Sequence, residues 1–255
     1  FGITDYERFP AVKPKFNSKY NNEFIDNQIE QFLNNKGMVD DLILDISTKY
    51  IADFSKEYIK SKSLKNRRKY ILGALGCKMS HLNAFRFAKE KDYDNILLIE
   101  DDALFHSNFI EHFNKLIINL KENDYDIVWL CPNWLYKDNN GILNRCYSYK
   151  YINDDFAQVN GSKSIDCKYG STLNNGGNIF SKKCINFILE NFENTKQSEI
   201  DMWYRQNIQI NNKVFTTIPN LIRQRVEESN IEEYQVNYDK DIHYLAEDSF
   251  NGRFK

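Results

Sequence analysis

The chain has 255 residues, of which 42% are hydrophobic, 15% aromatic and 27% charged, so it carries enough apolar material to build a core and too much for wholesale disorder. Its 34 Lys+Arg against 36 Asp+Glu leave a formal charge of −2, which gives no general attraction to a nucleic-acid backbone or an anionic bilayer. The longest uninterrupted apolar runs, 96–99 and 127–131, fall far short of the roughly 18 residues of a membrane span.

In chain order, residues 1–22 are polar and irregular, and Phe24, Ile25, Ile29, Phe32 and Leu33 then recur at a spacing that predicts a helix over about 23–35. Tyr50, Ile51, Phe54, Tyr58 and Ile59 repeat the pattern, and the next ten residues, 60–69, include six basic ones. Those cations read as a solvated helix end or as neighbours of an anionic ligand. Leu82, Phe85 and Ala88 predict a helix from about Met79, followed by a turn at 93–95 and a buried strand at 96–99.

Ser107 is placed to cap a helix carrying Phe109, Ile110, Phe113, Leu116, Ile117 and Leu120, and Asp126 opens a second buried strand. Strand, helix, strand in this order predicts a parallel pair. The stretch 132–172 lacks a clear period and is long for a loop, so it reads as a small antiparallel excursion or a lid. Gly176 and Gly177 lead into a strand, Ser181 caps a helix with Ile185, Phe187, Ile188 and Leu189 inside, a helix follows over 198–209, and a strand at 213–218 stops at Pro219. A charged tail from 225, its last ten residues loosely held, completes one α/β domain spanning 1–255.

Five cysteines, Cys77, Cys131, Cys146, Cys167 and Cys184, are odd in number and widely spaced, with no CxxC pair. Buried free thiols are expected, with no disulfide framework or zinc site signalled. No basic-then-apolar leader is read at the start, and a cytoplasmic location is the expectation.

The sharpest chemical feature is Glu100-Asp101-Asp102, three carboxylates directly after the apolar run 96–99. Burying them unpaired is costly and they repel one another, so a hard divalent cation is an economical partner, Mn²⁺ or Mg²⁺ fitting oxygen ligands best. In open α/β sheets, ligands collect beyond the carboxyl ends of strands, where this triplet should emerge. A solvent-exposed acidic turn is the plainer alternative.

Further motifs flank the triplet. Gly76-Cys77 and Ser80-His81 precede it, Glu7-Arg8-Phe9-Pro10-Ala11-Val12 opens the chain, and Asp126-Ile127-Val128-Trp129-Leu130 follows. Tyr169-Gly170, Phe180-Ser181, Ile200-Asp201 and the spacing of Pro219, Gln224 and Ser229 complete the set. In this order the motifs resemble those of glycosyltransferase family 25, the lipooligosaccharide and procollagen galactosyltransferases, over about residues 7–231. The family's opening strand is not matched, and Ala74 replaces its usual acid in Gly73-Ala74-Leu75-Gly76.

The resemblance implies a GT-A-like fold with a mostly parallel, Rossmann-like sheet flanked by helices. It also implies a UDP-sugar donor, Mn²⁺ or Mg²⁺, and transfer of a hexose, galactose or glucose, with inversion to a glycan or collagen-like protein acceptor. Asp102 and then Glu100 are the expected metal ligands, with His243 as a third, against a simply exposed histidine in a polar tail. Asp101 is expected at donor ribose or sugar hydroxyls, or as a ligand itself. Asp201 is the expected base for the acceptor hydroxyl, Glu199 its substitute, and an ordinary helix-terminus acid the plainer reading.

Ser80 and His81 are expected at the donor or as a brace for the acidic strand end, against a simple N-cap and a core imidazole. Arg8 is expected on a phosphate, against a surface ion pair. Trp134 and Trp203 are candidates for stacking on sugar rings, against core filling. Two other functions stay open: a catalytically impaired nucleotide- or sugar-binding relic, with which Ala74 is compatible, and a phosphoryl or nucleotidyl transferase, for which no P-loop is found.

Overall fold

The computed structural model describes residues 6–35, 59–60, 62–131, 135–137, 143–145, 148–160, 176–193, 195, 199–209 and 213–225. Residues 50–58, Trp134, all of 161–175, His243 and the tail beyond 225 lie outside them. Among the described residues no helix is long and apolar enough to cross a membrane.

Helix α1 (Asn22–Asn35) starts where Asn21 Oδ1 accepts the Phe24 N–H at 2.8 Å, satisfying one of the orphan donors of the first turn. Its Ile25, Ile29 and Leu33 are buried against Tyr70, Ile71, Ala74 and Leu75 of α2 (Leu64–Glu90). Arg67 and Arg68 of α2 pair with Glu30 and Asp26 of α1. Two of the six clustered cations therefore lock the helix pair together.

The helix expected to begin at Met79 is the second half of α2, so Ser80 sits mid-helix and caps nothing. Its hydroxyl donates to Gly76 O at 2.7 Å and accepts the Val12 N–H at 2.9 Å, which fastens the N-terminal segment along the helix. Gly76 allows this approach: a Cβ there would lie 2.6 Å from the Val12 carbonyl oxygen and 3.1 Å from Pro14 Cδ.

β1 (Asn95–Ile99), a short β2 (Ala103–Phe105), α3 (Phe109–Glu122) and β3 (Ile127–Trp129) follow. Asn108 rather than Ser107 is the N-cap residue of α3, and it makes no side-chain capping bond. The 132–172 stretch holds an antiparallel pair, β4 (Leu135–Lys137) and β5 (Leu143–Arg145), and then β6 (Ser148–Asn153) and β7 (Phe156–Asn160), which join the main sheet. Its described part is an antiparallel excursion. β8 (Gly177–Ser181) leads into α4 (Lys182–Asn191), capped as expected by Ser181 Oγ accepting the Cys184 N–H at 3.2 Å. Helix α5 (Ile200–Tyr204) continues as a π-helical turn over 205–209, and β9 (Val214–Thr217) and β10 (Ile222–Gln224) close the described chain.

The main sheet has the order β1-β8-β3-β9-β7-β6. It is mixed and mostly antiparallel, because only β3 and β9 pair in parallel. The expectation of a mostly parallel sheet, with β1 and β3 as a pair, is corrected here. β1 and β3 do point the same way, but β8 lies between them and runs against both. Strand–helix–strand order sets direction; a strand contributed from later in the chain set adjacency.

Side chains alternate across the sheet, as a period of two requires. Ile127, Trp129, Phe180 and Val214 face a core shared with α2, α4 and α5. Val128, Ile179 and Phe215 face α3 and the antiparallel ribbon of β2 and β10. Helices thus cover both faces, and β1 ends where α2, α5 and that ribbon converge.

Gly76→Ala tests the anchoring of the N-terminal segment. Helix propensity alone favours alanine by about 1 kcal/mol, whereas crowding against the Val12 carbonyl costs about 1–3 kcal/mol. Urea denaturation is expected to show net destabilisation; a more stable variant would contradict the packing described.

Candidate active site

Glu100, Asp101 and Asp102 form the turn between β1 and β2, closed by the Ala103 N–H donating to Glu100 O at 3.3 Å. The turn splits the triplet. Asp101 is exposed, while Glu100 and Asp102 are half-buried, and the Gln224 amide bridges them, donating to Glu100 Oε2 at 3.0 Å and Asp102 Oδ2 at 3.3 Å. β10 delivers Gln224 because it pairs with β2, placing Gln224 opposite Ala103. The Arg225 N–H also donates to Asp102 O at 2.7 Å, so main chain and side chain of one short segment both clamp the turn.

Helix α2 approaches from the other side. His81 is 8% exposed and its Nε2 lies 3.5 Å from Glu100 Oε1. Cys77, one turn earlier, completes a group with His81 and Glu100 in which one ligand atom from each lies within 4.8 Å of the others. α5 supplies Asp201 and the buried Tyr204, whose hydroxyl has no hydrogen-bond partner among the described residues.

The electrostatics report the same convergence. Burial, with lesser contributions from Glu100, Asp201 and Asp102, holds the Cys77 thiol well above its ordinary range. Burial, with Cys184, Cys77, Glu100 and Asp201, does the same to the Tyr204 phenol. Asp201 thus belongs to the electrostatic neighbourhood of Glu100 although the two are 101 residues apart in the sequence.

Other expected site residues are placed differently. Glu199 accepts a hydrogen bond from the Tyr70 hydroxyl at 2.6 Å. Ser80 is committed to Gly76 and Val12. Arg8 is exposed, beside a Phe9 whose ring packs edge-on against Phe87 of α2. Trp203 is 2% exposed and its ring centroid lies 4.8 Å from that of Phe192, so it fills the core and offers no face to a sugar.

Sequence reading singled out Gln224 only through its spacing from Pro219 and gave it no role; its importance comes from strand pairing, which spacing does not reveal. Lys78 was missed altogether. It is buried, donates to Thr195 O at 2.9 Å and sits 4.2 Å from the Phe192 ring centroid, fastening the segment that leads into α5. Burial pulls its pKa down to about 8.

Asp102 Oδ1 is buried with no hydrogen-bond partner among the described residues. Two adjacent carboxylates with an unused buried oxygen make a donor set suited to a hard divalent cation. Burial, reinforced by Glu100 and Asp101 and opposed by the Gln224 hydrogen bond, pushes the Asp102 carboxyl up from 3.8 to about 7.

Because that folded-state value exceeds the unfolded one, Asp102 favours folding fully below about pH 4, and the contribution is lost as pH rises through about 7. In chelated protein, Asp102→Asn should therefore gain in melting temperature relative to the parent between about pH 4 and pH 8. A difference that stays constant with pH would contradict this placement of the carboxyl.

The family model described as glycosyltransferase family 25 (LPS biosynthesis protein) matches residues 3–204, which include α2, the acidic turn and α5. No curated protein matches the chain. The family implies glycosyl transfer from a sugar donor to a glycan acceptor. With the match covering most of its length, this chain belongs to glycosyltransferase family 25.

Proposed function

We propose that the protein transfers a hexose, galactose or glucose, from a UDP-sugar to a hydroxyl of a glycan or protein acceptor, with inversion at the anomeric carbon. The observation that carries this reading is the pairing of Glu100 and Asp102 under the Gln224 amide at the end of β1, with Asp201 in the same electrostatic neighbourhood. A GT-A-like arrangement is part of the proposal, supported by helices on both faces of the sheet and by an acidic turn beyond a strand's carboxyl end.

Asp102 and Glu100 are the residues that would hold Mn²⁺ or Mg²⁺, and the orphaned Asp102 Oδ1 supports the fit. Such a cation supplies Lewis-acid stabilisation of the departing diphosphate. Gln224 keeps the two carboxylates together despite their repulsion. Asp101, exposed at the tip of the turn, is available to donor hydroxyls, and Arg8 and His243 remain candidates for a phosphate and for the metal.

On the acceptor side, Asp201 takes the proton of the attacking hydroxyl. The new oxygen–C1 bond forms as the C1–oxygen bond to UDP breaks, and that electron pair leaves with the diphosphate. Glu199 is the substitute base, steered by its bond from Tyr70. Tyr204, in the electrostatic neighbourhood of Glu100 and Asp201, packs its ring against Phe180 and Trp129 of the sheet.

The test is UDP release by the purified protein across several UDP-sugars as Mn²⁺ is titrated. Metal-dependent turnover is expected with a UDP-hexose. Asp102→Ala should lower kcat/KM by about 10²–10³-fold, the order seen when a charge-stabilising group is removed. Asp201→Asn should lower kcat by about 10²–10⁴-fold. Survival of both turnover and metal dependence in Asp102→Ala would overturn the site, and UDP binding without turnover on any donor would favour the impaired relic.

A further inference from the structure

Cys77 and His81 are four residues apart on α2 and share one helix face. That face meets the end of β1, where one ligand atom from each falls within 4.8 Å of the others and of a Glu100 carboxylate oxygen. The 3.5 Å between His81 Nε2 and Glu100 Oε1 is long for a good hydrogen bond. It is the separation kept by two ligands of one tetrahedral ion with bonds of about 2.0–2.2 Å.

A second observation points the same way. The His81 ring is more than nine-tenths buried, yet its Nδ1 has no hydrogen-bond partner among the described residues. Burying an imidazole in this state is costly, so its place beside Cys77 and Glu100 calls for a reason beyond packing. With Nε2 turned toward Glu100, Nε2 is the nitrogen that serves as the ligand and Nδ1 carries the ring proton.

We propose that Cys77, His81 and Glu100 form a binding site for a zinc-class divalent cation, lying behind the acidic turn and distinct from the oxygen-only pair of Glu100 and Asp102. The donor set selects the ion. Sulfur and imidazole nitrogen suit Zn²⁺ and Co²⁺, whereas Mg²⁺ and Mn²⁺ favour oxygen. Glu100 serves both sides without conflict, its Oε1 facing His81 and its Oε2 facing Gln224.

When the ion binds, Cys77 gives its thiol proton to solvent and coordinates as the thiolate. Two ligands from the helix and one from the strand end then tie α2 to β1, and three protein ligands leave a fourth position for water. The absence of any CxxC pair does not argue against the site, because it needs a single cysteine and takes its third ligand from another element.

The experiment is a Co²⁺ titration of the full chain after chelator treatment, followed by absorbance. A sulfur-to-cobalt charge-transfer band is expected to saturate at one equivalent, to be bleached by Zn²⁺ and to persist when Mn²⁺ is added at equal concentration. Cys77→Ser should abolish the band, His81→Gln should weaken Co²⁺ binding at least tenfold, and Asp102→Asn should retain it. No band in the parent protein would overturn the proposal whatever the variants do. A band unchanged in Cys77→Ser would assign it to another thiol, and its loss in Asp102→Asn would merge the two sites; each result overturns the inference. A protein inactive toward every nucleotide sugar would still give the cobalt signature, so this inference and the transferase reading fail separately.

Discussion

Two half-buried carboxylates held side by side set the terms for this molecule. Glu100 and Asp102 repel each other in a setting that has already removed much of their water, and the bridge between them is the neutral amide of Gln224. Raising the Asp102 pKa to about 7 is the response of the protein on its own. A site that disfavours its own charge in this way is prepared for a cation, since the energy spent in bringing the carboxylates together is recovered when a positive ion arrives.

Much of the surrounding fold maintains that arrangement. The β2–β10 ribbon brings Gln224 to the turn and holds Asp102 by its carbonyl. α2 runs past the same strand end, and its position is fixed by salt bridges to α1, by the Gly76 contact with Val12 and by the Ser80 hydroxyl. Lys78, from the same helix, secures the approach to α5 and so the placement of Asp201. One long helix thereby registers the acidic turn, the candidate base and the N-terminal segment against one another.

The sequence made local features legible and left adjacency hidden. The apolar run 96–99, the Ser181 cap and the strand ending before Pro219 were readable because propensity and capping act over a few residues. The mostly antiparallel sheet was not readable, because β8 reaches its place between β1 and β3 only through long-range pairing. Of the candidate site, the acidic turn and Asp201 stood out as motifs in the sequence, whereas the contact made by Gln224 depends on a three-residue strand paired with another of three. Such short strands carry little periodic signal. Ser80 and Trp203 each carried two readings in the sequence, and the structure commits Ser80 to a helix–segment hydrogen bond, neither a cap nor a free side chain, and Trp203 to the core-filling reading.

Diffraction from crystals soaked with manganese and UDP, recorded near the manganese absorption edge, addresses the central claim most directly. The account predicts an anomalous peak within bonding distance of Asp102 and the Oε2 side of Glu100, in contact with the diphosphate. UDP bound with no manganese at those carboxylates, or manganese bound elsewhere on the protein, would contradict it.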